Sequence, residues 1–199
     1  FGPRGSVAAL ARAASVPVAC GTAWLAWTLC DISAVKGQDR WVLVTGASGG
    51  TGVAAVLIAK SLGYNVIATA RGAEKVRFCK KRLQADHVLD IGDADRRKTL
   101  SKCVRDICSQ GVDAAFDTVG GDLLQECIRS TRWAGRVAIV GFASGSIPNI
   151  PANILLVKGI SMVGVYFGGH VKRRPSESRR LFTKMLRFVE SRDIRLPVC

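Results

Sequence analysis

Between residues 41 and 63 an apolar, β-branched run, Trp41-Val42-Leu43-Val44-Thr45, meets Gly46-Ala47-Ser48-Gly49-Gly50-Thr51-Gly52 and continues into Val53-Ala54-Ala55-Val56-Leu57-Ile58-Ala59-Lys60-Ser61-Leu62-Gly63. A strand ending in a glycine turn that opens directly into a helix aims several backbone N–H groups and the helix's positive end at one point. Such a point suits a diphosphate. Measured against the strict G-x-G-x-x-G spacing, the three places hold Ala47, Gly49 and Gly52, so a small residue other than glycine stands at the tight-turn place. The loop alone is also compatible with a strand-to-helix connection that binds nothing. The alternation that follows it argues against that reading.

Further strand-like runs occur at 65–70, 87–91, 114–119, 136–141 and 161–167, with helix-like stretches at 72–83, 94–109, 120–133 and 153–158 between them. Strands and helices alternating at this spacing make right-handed βαβ units. The expected fold is therefore α/β, a doubly wound parallel six-stranded sheet (Rossmann fold) with strand order 3-2-1-4-5-6. Nearly continuous apolarity along the strands fits a sheet covered on both faces. Upstream, 6–14 and 22–30 read as two short helices separated by Pro17 and Gly21, and 35–39 as a polar turn. After Pro175, Leu181, Phe182, Met185, Leu186, Phe188 and Val189 form an apolar stripe at helical spacing. Two domain-level segments result: a helical lead-in, 1–40, and a dinucleotide-binding domain, 41–199.

In such a sheet an acid at the end of strand two accepts the adenosine ribose hydroxyls and repels a 2′-phosphate, whereas cations there accept it. Here strand two ends Ala68-Thr69-Ala70-Arg71, with Lys75 following and no carboxylate before Glu74. The charge pattern favours NADPH over NADH, with Arg71 and Lys75 as contacts. Lys and Arg number 29 against 15 Asp and Glu, a net charge of +14. That field favours anionic partners, cofactor phosphates or RNA among them, without choosing between them.

Seven cysteines at 20, 30, 79, 103, 108, 127 and 199 form no C-x-x-C pair and read as reduced thiols. The apolar stretch 7–29 is interrupted by Arg12, Pro17 and Gly21, which argues against a membrane span. A chain that begins at Phe1 without Met reads as a piece of a longer protein. A cytoplasmic setting is the expectation. His87 opens strand three and His170 lies in a basic loop, and neither is placed for catalysis.

Several runs together resemble one family, the zeta-crystallin-like quinone oxidoreductases of the medium-chain dehydrogenase/reductase superfamily. They are Pro17-Val18-Ala19-Cys20-Gly21-Thr22-Ala23-Trp24, the glycine turn from Val44 to Gly52, Ala85-Asp86-His87-Val88-Leu89-Asp90, and Gly111-Val112-Asp113 with Asp117-Thr118-Val119-Gly120-Gly121. Further along are Gly135-Arg136-Val137-Ala138-Ile139-Val140-Gly141-Phe142-Ala143-Ser144-Gly145, Ile150-Pro151-Ala152-Asn153, Lys158-Gly159-Ile160-Ser161 and Gly164-Val165-Tyr166-Phe167-Gly168. The resemblance covers about residues 13–198. It implies a two-domain reductase whose N-terminal domain, the other wall of the active-site cleft, lies outside this chain, as does the C-terminal return to that domain.

By position, the resemblance places a pyrophosphate on Ser48, Gly49, Gly50 and Thr51, flanked by Ala47 and Gly52. It places the 2′-phosphate near Arg71 and Lys75, and the nicotinamide half beside Gly141, Phe142, Ala143, Val165, Tyr166 and Phe167, with Thr118 and Val119 lining the same crevice. Where relatives carry Tyr or His after strand three, this chain has Ile91. Ala14 stands where a zinc-using branch carries a cysteine ligand, so no catalytic metal is expected from this half. The implied activity is hydride transfer from NADPH to a quinone or a conjugated carbonyl (enone or enal) acceptor, with catalytic residues unassigned. The resemblance also implies a homodimer through the edge strand from Ser161 to Phe167. The rival expectation is a basic RNA-binding or interaction module that retains a nucleotide fold.

Overall fold

The computed structural model describes residues 7–33 and 39–197. Helix α1 (Val7–Leu29) leads in, followed by β1 (Trp41–Val44), α2 (Gly50–Ser61), β2 (Asn65–Ala70), α3 (Ala73–Lys81) and β3 (His87–Asp90). Helices α4 (Ala94–Lys98) and α5 (Leu100–Ile107) precede β4 (Val112–Asp117), α6 (Gly121–Ser130), β5 (Thr131–Ile139), α7 (Ala152–Lys158), β6 (Ser161–Gly164), α8 (Phe167–Arg173) and α9 (Pro175–Ser191). The six strands form one parallel sheet, ordered β3-β2-β1-β4-β5-β6, as the alternation of elements requires.

Period-2 alternation divides each strand between two cores. Val42 and Val44 of β1 and Val66 and Ala68 of β2 face a layer built from α1, α2 and α9. Leu43 and Ile67 face Leu100, Val104, Leu124 and Ile128 of α5 and α6. All six residues of β4, the central strand beside β1, are buried.

Several local expectations are corrected. One helix, α1, runs straight through Pro17 where two were expected. Proline inside a helix costs about 3 kcal/mol, but Val16, Cys20, Ala23 and Trp27 are all buried on α1's inner face, and each large side chain so buried contributes about 1.5–3 kcal/mol. Trp27 also donates Nε1–H to the Ala55 carbonyl of α2 at 3.1 Å, and its ring lies 5.4 Å from that of Phe116. Burial outweighs the local breaker. Gly21 is needed because the Phe167 ring occupies the place of a β-carbon there.

The helix expected over 94–109 breaks at Thr99. The buried Glu126 of α6 accepts the Ser101 N–H at 2.8 Å and so caps a fresh helix start, which no local pattern announces. The helix expected to reach residue 133 stops at Ser130, and Trp133 belongs to β5. Thr118 and Val119 lie beyond β4, and Ile91 beyond β3. Strand β6 ends at Gly164: its partner β5 turns away after Ile139, whose carbonyl takes the last bond, from Val165 N–H at 2.9 Å. Phe167 therefore opens α8, and His170 sits in that helix and not in a loop. The polar turn expected at 35–39 lies outside the described residues except for Asp39, which accepts from Trp41 Nε1 and Asn65 Nδ2.

Candidate functional site

Strands β1 and β4 are neighbours whose chains cross over in opposite directions, so a crevice opens at their carboxyl ends, where open α/β sheets bind ligands. The turn after β1 is held by Thr45 N–H to Phe116 O, Ala47 N–H to Thr69 O and Gly49 N–H to Gly46 O, at 2.9, 3.1 and 3.0 Å. Gly46 adopts φ +60°, and a β-carbon there would collide with Thr118 Oγ1. A β-carbon on Gly52 would collide with the Gly46 carbonyl, so Gly52 is what lets α2 start against the turn.

These contacts revise the fingerprint. The left-handed turn residue is Gly46, and Ala47 is fully buried beneath the loop, away from the crevice. Ala47 and Gly52 therefore shape the loop from below, while Ser48 and Gly49 line the crevice and Gly50 is exposed at the helix mouth. Helix α2 has no side-chain cap and no acid in its first turn. Its first intrahelical bond is Val53 N–H to Gly49 O, at 2.8 Å. The N–H groups of Gly50, Thr51 and Gly52 thus lack intrahelical acceptors and carry the positive end of the helix dipole.

A buried carboxylate sets the opposite lip. Asp117 ends β4 and accepts from Thr45 Oγ1, from Val119 N–H at 3.2 Å and from Gly120 N–H at 2.8 Å. Burial pushes its carboxyl above the usual range, and the Thr45 hydroxyl and the two N–H groups pull it back. Thr118 in turn donates its hydroxyl to Thr45 O. Beyond β5, Ala143 N–H bonds Thr118 O and Ser144 N–H bonds Val119 O, at 3.0 and 2.9 Å, stacking a second loop on the first. Asp117 was part of a motif in the sequence, but nothing there marked it as the post that fixes Thr118 and Val119.

Two cavities meet at this lip. One, about 540 Å³, reaches from Ser48 and Gly49 to Thr69, Arg71, Lys75 and Arg97. The other, about 670 Å³, is lined by Thr51, Gly141, Phe142, Val165, Tyr166 and Phe167, with Thr22 of α1 in its wall. Thr118 and Ala143 line both. Of the sequence-predicted residues, Ser48, Gly49, Thr51, Arg71, Lys75, Thr118, Val119, Gly141, Phe142, Ala143, Val165, Tyr166 and Phe167 line one or other cavity, whereas Ala47, Gly50 and Gly52 line neither. The second is open on one side, where Tyr166 is 72% exposed and Phe142 40%.

Sequence reasoning missed Thr22, Thr69 and Arg97. Arg97 is one of three consecutive basic residues, and only the fold turns it inward. The Thr69 hydroxyl is fully buried with no hydrogen-bond partner among the described residues. Among the described residues no group of three His, Cys, Asp or Glu side chains is placed to hold a metal ion. Six described cysteines are free, and burial pushes the thiols of Cys20 and Cys30 up to about 11 and about 12. No helix among the described residues is long and apolar enough to cross a membrane.

Residues 50–191 match the zinc-binding dehydrogenase family. The chain is 38% identical over 160 residues to a quinone oxidoreductase-like protein 2 of Rattus norvegicus, covering 80% of this chain and 44% of that protein. A Nematostella vectensis homologue is 34% identical over 188 residues, covering 94% of this chain and 49% of that protein. The chain thus spans about half the length of the curated relatives it matches. Among solved structures, a mycobacterial protein complexed with NADPH superposes with a TM-score of 0.82 at 26% identity, over 98% of this chain and 57% of that one. A putative enoyl reductase domain of a polyketide synthase gives 0.72 at 27% identity, over 89% of this chain and 97% of that one.

Proposed function

This chain belongs to the zinc-binding dehydrogenase family, within the medium-chain dehydrogenase/reductase superfamily, and on that footing we propose that it is the NADPH-binding part of a reductase that delivers hydride to a quinone or a conjugated carbonyl. One observation carries the reading: a single crevice joins a cradle of unaccepted N–H groups, a basic corner and an apolar, half-open end. NADPH carries a 2′-phosphate at its adenosine end, a central pyrophosphate and a nicotinamide at its other end, which match the basic corner, the N–H cradle and the apolar end in turn.

The donor set fits that cofactor. Ser48, Gly49, Gly50 and Thr51 would take the pyrophosphate, because N–H groups at a helix start that lack acceptors favour an anion. Arg71 and Lys75, for which no carboxylate partner is found among the described residues, would take the 2′-phosphate. Gly141, Phe142, Ala143, Val165, Tyr166 and Phe167 would flank the nicotinamide half, with Thr118 and Val119 between the two ends. The bound cofactor would supply the hydride, and the chain would supply its orientation. The glycine at 141 matters for the second end, since a β-carbon there would press on the Thr118 carbonyl.

The remainder of the reading concerns the whole protein. Ala14 at the position of a zinc-branch cysteine supports a metal-free hydride transfer, and β6 at the sheet edge offers unpaired backbone groups for a second copy. Calorimetric titration of the chain with NADPH and NADH tests the core of it. NADPH should bind at least about tenfold tighter, the gain expected from one charge-assisted contact pair. Absence of heat with either nucleotide would remove the proposal. Light scattering at micromolar concentration tests the dimer, which a monomeric mass would refute.

A further inference from the structure

Helix α4 carries Arg96, Arg97 and Lys98 in succession, and their side chains diverge. Arg96 faces outward to Asp93 and Asp90, at 2.9 and 3.6 Å. Lys98 is exposed. Arg97 is half-buried and lines the first cavity, its Nη1 donating to the carbonyls of Ile91 and Gly92 at 3.2 Å each.

Those two bonds have a consequence beyond the loop. A guanidinium offers five N–H donors in a rigid plane. Anchored at one nitrogen by two carbonyls, it loses little further freedom when the rest of the fork meets an anion. No carboxylate pairs with Arg97 among the described residues. The acid that does line the cavity, Asp122, comes from the first turn of α6. The partnerless Thr69 hydroxyl belongs to the same lining. Ile91, from the strand end that Arg97 holds, adds an apolar surface.

We propose, resting on the NADPH reading above, that Arg97 is a specificity-determining residue whose anchored guanidinium takes the 2′-phosphate together with Arg71 and Lys75. Arg71 follows β2 and Lys75 lies on α3, and neither side chain makes a hydrogen bond or ion pair among the described residues. Arg97 comes from the β3–α4 side and is fixed before the ligand arrives. The phosphate is therefore gripped between two connections of the fold, and discrimination against an unphosphorylated ribose rests most heavily on the pre-set member.

The test uses the full chain and two probes that differ only in the 2′-phosphate, adenosine 2′,5′-bisphosphate and 5′-AMP, titrated calorimetrically. Arg97→Ala removes the fork, whereas Arg97→Gln drops the charge and leaves a shorter side chain that still carries an N–H donor. Lys98→Ala removes an equal charge from the same helix outside the cavity. Thermal melts verify folding of each. Both Arg97 variants should weaken the bisphosphate by about tenfold to a hundredfold and leave 5′-AMP within about twofold, with Lys98→Ala inside about twofold for both. Equal weakening of the two probes, or an equal loss in Lys98→Ala, overturns the proposal, as does wild-type behaviour of Arg97→Gln. If wild type binds NADPH while the Arg97 variants match it, this inference alone falls. If wild type does not bind NADPH at all, the reading beneath it falls.

Discussion

At the amino end of the sheet Asp113 is clasped by Arg40 and Arg132, at 2.5 and 2.7 Å, and accepts the Trp41 N–H at 2.8 Å. At the carboxyl end Arg71, Lys75 and Arg97 border a cavity without such a partner among the described residues. Nearby on the amino side, Asp86 receives Lys60 Nζ at 2.7 and 2.8 Å and the Val66 N–H at 2.7 Å, tying α2 to the start of β2. One edge of the sheet neutralises its charges internally and uses them to hold strands in register. The other leaves Arg71 and Lys75 without an ion-pair partner among the described residues and the first N–H groups of α2 without an intrahelical acceptor. Stability and binding should therefore separate by location.

The sharpest way to break that division is Asp113→Ala. A strand amide and two partly exposed arginines would lose a buried carboxylate acceptor, which costs about 1–3 kcal/mol, readable in urea unfolding, whereas the ratio of NADPH to NADH affinity should stay within about twofold. A change in that ratio would show that the two ends are coupled.

Asp117→Ala probes the boundary itself. The Thr45 hydroxyl and the Val119 and Gly120 amides would be left without their acceptor, at about 1–3 kcal/mol, and the lip formed by Thr118 and Val119 would loosen, so stability and NADPH affinity should fall together. Unaltered affinity would confine Asp117 to the core.

Arg71→Ala and Lys75→Ala should do the reverse of the Asp113 change. Stability stays within about 0.5 kcal/mol, while calorimetry should show NADPH weakened by about tenfold each and NADH nearly unchanged.

The smallest effect is in pH. The folded-state pKa of Asp117 is raised by burial, above an unfolded value of about 3.9. The protonated form is the one that folding favours, so this group's contribution is fully present below the unfolded value and is lost as pH rises through the raised one. Melts of wild type and Asp117→Asn from acid to neutral pH should show the wild type losing ground to the variant as pH rises. A gain would mean that its three hydrogen bonds outweigh its burial.

The sheet order was legible because periodicity and turn chemistry are local, and βαβ handedness turns a list of segments into a topology. The loop from Gly46 to Gly52 was legible for the same reason, although the residue with positive φ proved to be Gly46 and Ala47 proved to be core. What stayed hidden depended on contacts distant in sequence. Pro17 looked like a break until the burial of Val16, Cys20 and Trp27 was set against it. The split at Thr99 needed Glu126, 25 residues from the amide it caps. Arg97 could not be told from Arg96 until the fold pointed one inward and the other out. The extent of β6 depended on where its neighbour stopped.

Thr118 and Ala143 are the residues that both cavities share. A guest filling one chamber would leave the other empty, and only an elongated, two-headed molecule would reach both across that waist. On the proposed reading, the crevice would select by length as well as by charge. A mononucleotide, however well its phosphate is held, comes up short.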